Sequence, residues 1–258
     1  MYQSSEQIDP GRSPNEAGIV SGAIKEGDAG LERFKKPKSL SESVLEHLRS
    51  EIISGRLELG AAISERQLAE QLRVSKTPVR EALAQLRNEG LVRILPRKGA
   101  YVFSLSAHEV IAICDFRVAI ETAALKLALD RNPEAFVAEI REIVAEMERC
   151  QAKGDIPGYL ALDTEFHAAA FHHCENHYLS ESYGRYAGKI SALRTHLAAK
   201  PMHTKLSFGE HKDLLAAFAG RDLNEVKATL LKHIGRTKNT YEAGVDDIAI
   251  ADATLRPQ

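Results

Sequence analysis

Asp163 and His167 stand four residues apart in the stretch DTEFH and share one helical face with Phe166, Ala170 and Phe171, so a carboxylate and an imidazole sit among apolar neighbours. His211 shares its face with Leu214, Leu215 and Phe218, and His233 shares one with Val226, Leu230 and Ile234. An unpaired carboxylate or imidazole inside a helix bundle is costly, and a common partner removes that cost. One carboxylate oxygen and three imidazole nitrogens from three helices make a first coordination shell for a divalent transition metal, zinc foremost, with nickel, manganese and iron as alternatives. The same spacing also fits a surface Asp–His pair, and with ten histidines in the chain some would face inward without a metal. His203, beside Pro201, falls in an expected loop and so outside this set.

A second group of residues suits nucleic acid. Lys76 and Arg80 lie four apart at the start of an expected helix, while Val79, Leu83 and Leu86 face another way. Arg is the usual bidentate reader of guanine, and Lys approaches the same acceptors as a point charge. Ser75 and Thr77, with the first backbone N–H groups of the helix, suit phosphate oxygens. Arg66 stands near the start of the preceding helix, and Arg97, Lys98 and Gly99 put positive charge and a tight turn at the tip of an expected hairpin. The alternative is a set of solvated charges on an ordinary three-helix unit.

The elements that must position these groups follow from periodicity and punctuation. Leu40, Val44, Leu45, Leu48, Ile52 and Ile53 recur at three- and four-residue steps, and Gly55 ends that helix. Ser64 opens a second, short helix. A third begins at Ser75 or Thr77, carries Pro78 in its first turn and stops at Gly90. LVRIL and AYVFS, separated by Pro96 to Gly99, read as a hairpin. Helix, helix, helix and hairpin is the order of a winged helix-turn-helix. Beyond Ser104 the strand signal nearly vanishes. Ser106 with Glu109, Asn132 with Pro133 and Asp222 with Glu225 punctuate six or seven further helices. The fold expected is therefore mainly α: a winged helix-turn-helix over residues 38–104 and an all-helical bundle over 105–245. Residues 1–37 are expected to be a disordered tail and 246–258 a loose one.

Charge supports that division. The whole chain carries a net charge of −2, yet residues 35–98 hold 13 Lys and Arg against 8 Asp and Glu, while residues 99–258 hold 18 against 22. A basic module joined to an acidic one suits a phosphate-binding head on a body with another task. Composition, at 44% hydrophobic and 27% charged, is that of a globular protein. No apolar run reaches the roughly 20 residues of a membrane span, and the N-terminus lacks a basic start and apolar stretch, so no membrane partner and a cytoplasmic location are expected. Cys114, Cys150 and Cys174 lack CxxC spacing and are expected to be reduced core residues.

The stretch from Gly55 to Val102, above all SERQLAEQLRVSKTPVREALAQLRNEGLV followed by PRKGAYV, resembles the DNA-binding domain of the GntR family of bacterial regulators. The resemblance implies that Arg66, Lys76, Thr77, Arg80 and Gly99 contact operator DNA. The chain departs from the family pattern at Lys76, where Arg is more usual, and at Arg73, where the turn commonly carries Gly. From about Ser106 to Gly244 the chain resembles the FCD-type helical domain of the FadR subfamily, through FRVAIETAAL, DTEFHAAAFHHCENHYL, EHKDLLAAFAGRD and KHI. In metal-binding members the ligands fall at positions that correspond to Asp163, His167, His211 and His233, with His172 and His196 as stand-ins.

The resemblance further implies a small organic acid as effector. A metal held by four protein ligands keeps open positions for a carboxylate, and a guanidinium can hold the other end. Arg117 and Arg194 are the candidates; Arg117 reads equally as a helix-surface partner of Glu121, and Arg194 also reads as an ordinary surface residue. The function expected is a sequence-specific transcription repressor whose operator affinity is set by that acid, acting as a homodimer on an inverted repeat. Two rivals remain: a regulator for which the metal itself is the signal, and a metal-dependent hydrolase. No HExxH motif, phosphate loop or placed general base supports the hydrolase, and the chain is expected not to be an enzyme.

Overall fold

The computed structural model describes residues 38–198 and 202–242, so the two expected tails, 1–37 and 246–258, lie outside the described residues. The head opens with α1 (Leu40–Ile53), followed by β1 (Ala62–Ile63), α2 (Glu65–Leu72), α3 (Lys76–Asn88), β2 (Val92–Leu95) and β3 (Gly99–Val102). Ser39 and Glu42 close a reciprocal capping box on α1, and Ser64 accepts from the Gln67 N–H to start α2. Ser75 takes the cap position of α3 without a side-chain bond, leaving Thr77 inside the first turn. Val44, Leu48 and Ile52 of α1 meet Val79, Leu83 and Leu86 of α3, and these six side chains form the buried centre of the head.

The expected two-stranded hairpin is one strand short. The sheet has three antiparallel strands in the order β1-β3-β2, with Ala62 opposite Tyr101 and Ile63 opposite Ala100 on one side, and Val92 opposite Val102 on the other. Two residues are too few to carry an alternation signal, so β1 exists only because β3 offers it an edge.

Arg73 ends α2 in the left-handed region, at φ 54°. A side chain there costs about 1–2 kcal/mol that glycine escapes, and part of this is offset because glycine is freer in the unfolded chain. Arg73→Gly is expected to stabilise the protein by about 0.5–1 kcal/mol, seen as a higher urea midpoint. An unchanged or lower midpoint would show that the turn is not strained.

Among the described residues six helices follow: α4 (Ala107–Arg131), α5 (Pro133–Lys153), α6 (Ile156–His173), α7 (His177–Ala198), α8 (His203–Gly220) and α9 (Leu223–Glu242). Ser106 and Glu109 close a capping box on α4. Asp222 accepts from the N–H groups of Asn224 and Glu225 at the start of α9. Asn132 occupies the cap position of α5, but its amide turns to the His173 carbonyl and Glu175 and ties α5 to the end of α6. Within the bundle α4 packs on α6 and α9, α5 packs on α6 and α8, and α8 packs on α9. Cys114, Cys150 and Cys174 are free and buried.

α7 touches both halves. It packs on α1 and on α6, Lys189 lies over the Phe103 ring at 5.5 Å, and a Cβ on Gly188 would come within 3.1 Å of Leu91. Thr164 and Ser191 join their hydroxyls across α6 and α7 at 3.1 Å. Among the described residues, no helix is long and apolar enough to cross a membrane.

Candidate functional site

Four-residue steps stack the polar groups of the bundle on facing helix sides. Tyr159, Asp163 and His167 line α6; His203, Ser207 and His211 line α8; His233 and Thr237 line α9, and Arg117 and Glu121 line α4. All ten are buried. His167, His211 and His233 come together, each offering a ring nitrogen within 4.8 Å of the others. The rings of His167 and His233 stack with centroids 5.1 Å apart.

The outer nitrogens are occupied. His167 Nδ1 lies 2.9 Å from Glu121 Oε2, and His233 Nδ1 lies 2.8 Å from Glu210 Oε2. Carboxylates only accept, so in both rings the proton sits on Nδ1 and Nε2 keeps its lone pair. Those two Nε2 atoms are 3.2 Å apart. Two bare lone pairs at that distance repel unless a proton or a cation lies between them. Burial lowers the pKa of His167 well below its ordinary value, with the Arg194 and Arg117 guanidiniums adding to the effect, and burial also lowers His233. A cation between them would remove the repulsion. Ligands of one tetrahedral zinc, with Zn–N near 2.0–2.1 Å, stand about 3.3–3.4 Å apart, close to the spacing of this pair. The Tyr159 hydroxyl lies 3.3 Å from His211 Nδ1, and the buried His211 Nε2 faces Asp163 Oδ1 at 3.3 Å without hydrogen-bond geometry. Burial pushes His211 down to about 3. Three neutral imidazoles, each with its outer nitrogen against an oriented group, fit a metal centre.

Asp163 stands beside the triad. Its Oδ1 is 3.3 Å from His211 Nε2 and its Oδ2 is 2.9 Å from Arg194 Nη1. Burial alone would raise its pKa, but the Arg194 guanidinium beside it outweighs burial and holds the carboxyl below the ordinary range. Arg194 also reaches the Tyr183 hydroxyl at 3.3 Å. The surface role weighed for Arg194 does not describe it, since only 7% of the residue is exposed. Arg117 does pair with Glu121, at 2.7 Å, but both are buried, and Glu121 divides its oxygens between Arg117 and His167. The reading of that pair as a helix-surface contact is therefore corrected.

His203 is corrected as well: it begins α8, 91% buried, and lines a cavity with Asp163, Arg194, His233 and Arg236. His172 points outward against Glu139, and His196 is exposed, so neither stand-in reaches the triad. Glu121, Glu210, Tyr159, Tyr183 and Arg236 were missed in the sequence. Glu210 had a visible signal as the neighbour of His211. The others are common residue types on helices, and only packing turns them inward.

In the head, Arg66, Ser75, Lys76, Thr77, Arg80, Arg97, Lys98 and Gly99 are all at least partly open to solvent. Arg66 pairs with Glu70 at 3.3 Å and Arg80 Nε with Glu65 at 2.6 Å. Arg97 and Gly99 both take positive φ, 62° and 107°, which folds the hairpin tip back on itself. Arg97 in that region was not foreseen.

Comparison with known proteins agrees with this arrangement. Residues 40–102 match the family described as bacterial regulatory proteins, gntR family, and residues 112–236 match the FCD domain. The chain is similar to the Nta operon transcriptional regulator of Aminobacter aminovorans, 30% identical over 177 residues, which is 68% of this chain and 81% of that protein. It is similar to an uncharacterized HTH-type transcriptional regulator of Agrobacterium vitis, 39% identical over 111 residues. That match spans 42% of this chain and 65% of the relative, just under two thirds of its length. Among solved structures, E. coli McbR/YncC shares the fold with a TM-score of 0.67 at 24% identity, over 85% of this chain and 100% of that one.

Proposed function

The chain belongs to the GntR family of bacterial regulatory proteins, a DNA-binding transcription regulator with an FCD domain, and on that premise we propose that it is a repressor whose operator affinity is set by a small organic acid held beside a divalent metal. The observation that carries the metal is the pair of Nε2 lone pairs of His167 and His233 at 3.2 Å, with both Nδ1 protons committed to carboxylates. His167, His211 and His233 hold the ion and Asp163 adds an oxygen. Zinc suits this nitrogen-rich set, with nickel, manganese and iron as the alternatives. When bound, the ion supplies a Lewis-acidic centre with open positions for a carboxylate.

The chain's own residues do the rest. Arg194 and Arg117 line the cavity and offer guanidiniums to an incoming acid. The cavity has a volume of about 10 Å³, room for about one water. An acid must therefore displace side chains, and the exchangeable contact is Asp163 with Arg194. Arg194 sits on α7, the helix that also meets the head at Gly188 and Lys189. A shift of α7 is thus felt at Leu91, directly after α3. That contact gives two sites a shared element whose position each can bias. In the head, Lys76 and Arg80 read bases, Arg66, Ser75 and Thr77 hold phosphates, and Arg97, Lys98 and Gly99 meet a neighbouring groove. One head reads few base pairs, so a two-fold dimer on an inverted repeat supplies the specificity.

The acid is expected to weaken operator binding by about 1–3 kcal/mol, the usual scale of allosteric coupling. Fluorescence anisotropy with operator DNA across a panel of small carboxylic acids, in metal-loaded wild type and in Asp163→Ala, tests this. If no acid shifts affinity in the wild type, or if the responsive acid acts equally on Asp163→Ala, the metal-anchored effector is wrong. If metal alone shifts operator affinity and acids do not, the metal is the signal.

A further inference from the structure

Three buried atoms on the wall of the metal-side cavity have no hydrogen-bond partner among the described residues: Arg194 Nε, His203 Nε2 and Arg236 Nη1. Buried polar atoms are normally satisfied, and an orphan pointing into a cavity marks a place where a ligand atom belongs. The three fall in two places. Arg194 stands beside Asp163, on the side already assigned to the metal and its acid. His203 and Arg236 come from the first turn of α8 and from α9. His203 is 9% exposed. Arg236 commits Nε and Nη2 to Glu210, leaving Nη1 over. The Met202 side chain, at the cap position of α8, makes no capping bond, and Thr204 of the first turn lines the same wall. The N–H groups at a helix start favour an anion, and here they coincide with a donor-rich, unpaired pair of side chains.

The charge balance points the same way. Arg117, Arg194 and Arg236 face Asp163, Glu121 and Glu210, so the guanidinium and carboxylate charges around the cavity pair off. A divalent ion leaves two positive charges uncompensated in a site that excludes water, and a dianion restores neutrality. Hydroxyls of Tyr159, Ser207 and Thr237 along the wall suit a polar rather than an aliphatic chain between the charged ends.

We propose that His203, Arg236 and the first turn of α8 form a second acid-reading pole, so that the effector is a short dicarboxylate, with one carboxylate at the metal and Arg194 and the other at this pole. This rests on the metal-and-acid reading above and adds the class of acid and the residues that select it.

The test is isothermal titration of zinc-loaded full-length protein with matched pairs: malonate with propionate, succinate with butyrate, glutarate with valerate, and malate with 3-hydroxybutyrate. Sulfate serves as a dianion with a single head. The best dicarboxylate should bind at least about tenfold tighter than its monocarboxylate partner and than sulfate. His203→Gln, and Arg236→Lys, which keeps a charge for Glu210 but lacks Nη1, should shrink that ratio severalfold, with metal content measured for each variant. Equal binding within every pair overturns the second pole, as does sulfate matching the best dicarboxylate, or variants that weaken both members of a pair by one factor. If zinc is held but no acid of either kind binds, the effector reading falls and takes this one with it. If the protein retains no metal, the metal centre itself is wrong. The wild-type ratios decide the matter even if a variant does not fold.

Discussion

Stripping the metal with a chelator is expected to lower the melting temperature by about 8–16 °C. The triad draws on α6, α8 and α9, three helices distant in sequence, so an ion bound only by the folded state stabilises it by mass action. At free metal about a thousandfold above Kd that stabilisation is about 4 kcal/mol, and for a chain of this size each kcal/mol moves the midpoint by about 2–4 °C. His233→Ala should abolish stoichiometric metal and make the midpoint insensitive to chelator. It also strands Glu210, which keeps only Arg236 as a partner, so the variant should melt below the metal-free wild type. His172→Ala, on an exposed side chain paired with Glu139, should retain metal. Elemental analysis and thermal melts with and without chelator check all three. A wild-type midpoint that ignores both zinc and chelator would remove the metal centre.

Arg80→Ala is expected to lose about 1–3 kcal/mol of specific operator affinity, the worth of a base-edge contact, while the fold is kept. Arg80 points away from the buried face formed by Val79, Leu83 and Leu86. Its Nε rests on Glu65, an exposed ion pair whose rearrangement costs at most about 1 kcal/mol. Glu65 on α2 thus steadies the guanidinium without competing strongly against guanine. Arg66→Ala, at a residue assigned to phosphate, should behave differently: affinity falls on operator and non-operator duplexes alike, and the salt slope drops by about 1. Anisotropy titrations on operator and scrambled duplexes at several salt concentrations separate the two outcomes. Footprinting should show two protected half-sites related by a dyad. If Arg80→Ala discriminates its operator as well as wild type does, the reading of α3 as the base-reading helix fails.

The architecture was legible along the chain, and so were the three histidines that the structure brings together. Caps such as Ser39 with Glu42, Ser64, and Ser106 with Glu109 are local events, decided within one turn of chain, and they hold in the structure. The apolar faces of α1 and α3 were equally readable, because a helix shows its buried side in its own periodicity. The same logic found His167, His211 and His233, each conspicuous as a polar residue on an apolar stripe.

Tertiary structure decided what cannot be seen along one element. β1 is two residues long and exists through its pairing with β3. Arg117 with Glu121 reads as any helix pair with four-residue spacing, and burial by α6 and α9 turns it into a support for His167. The neighbouring Pro201 suggests a loop at His203, yet α8 begins at His203 itself and carries it into the cavity wall. Which nitrogen of each histidine is free, and therefore whether a cation can bind, depends on Glu121 and Glu210. Those partners lie 46 and 23 residues away in sequence. Hydrogen bonds across helices fix tautomers and orient lone pairs, and no periodicity within a single helix records them.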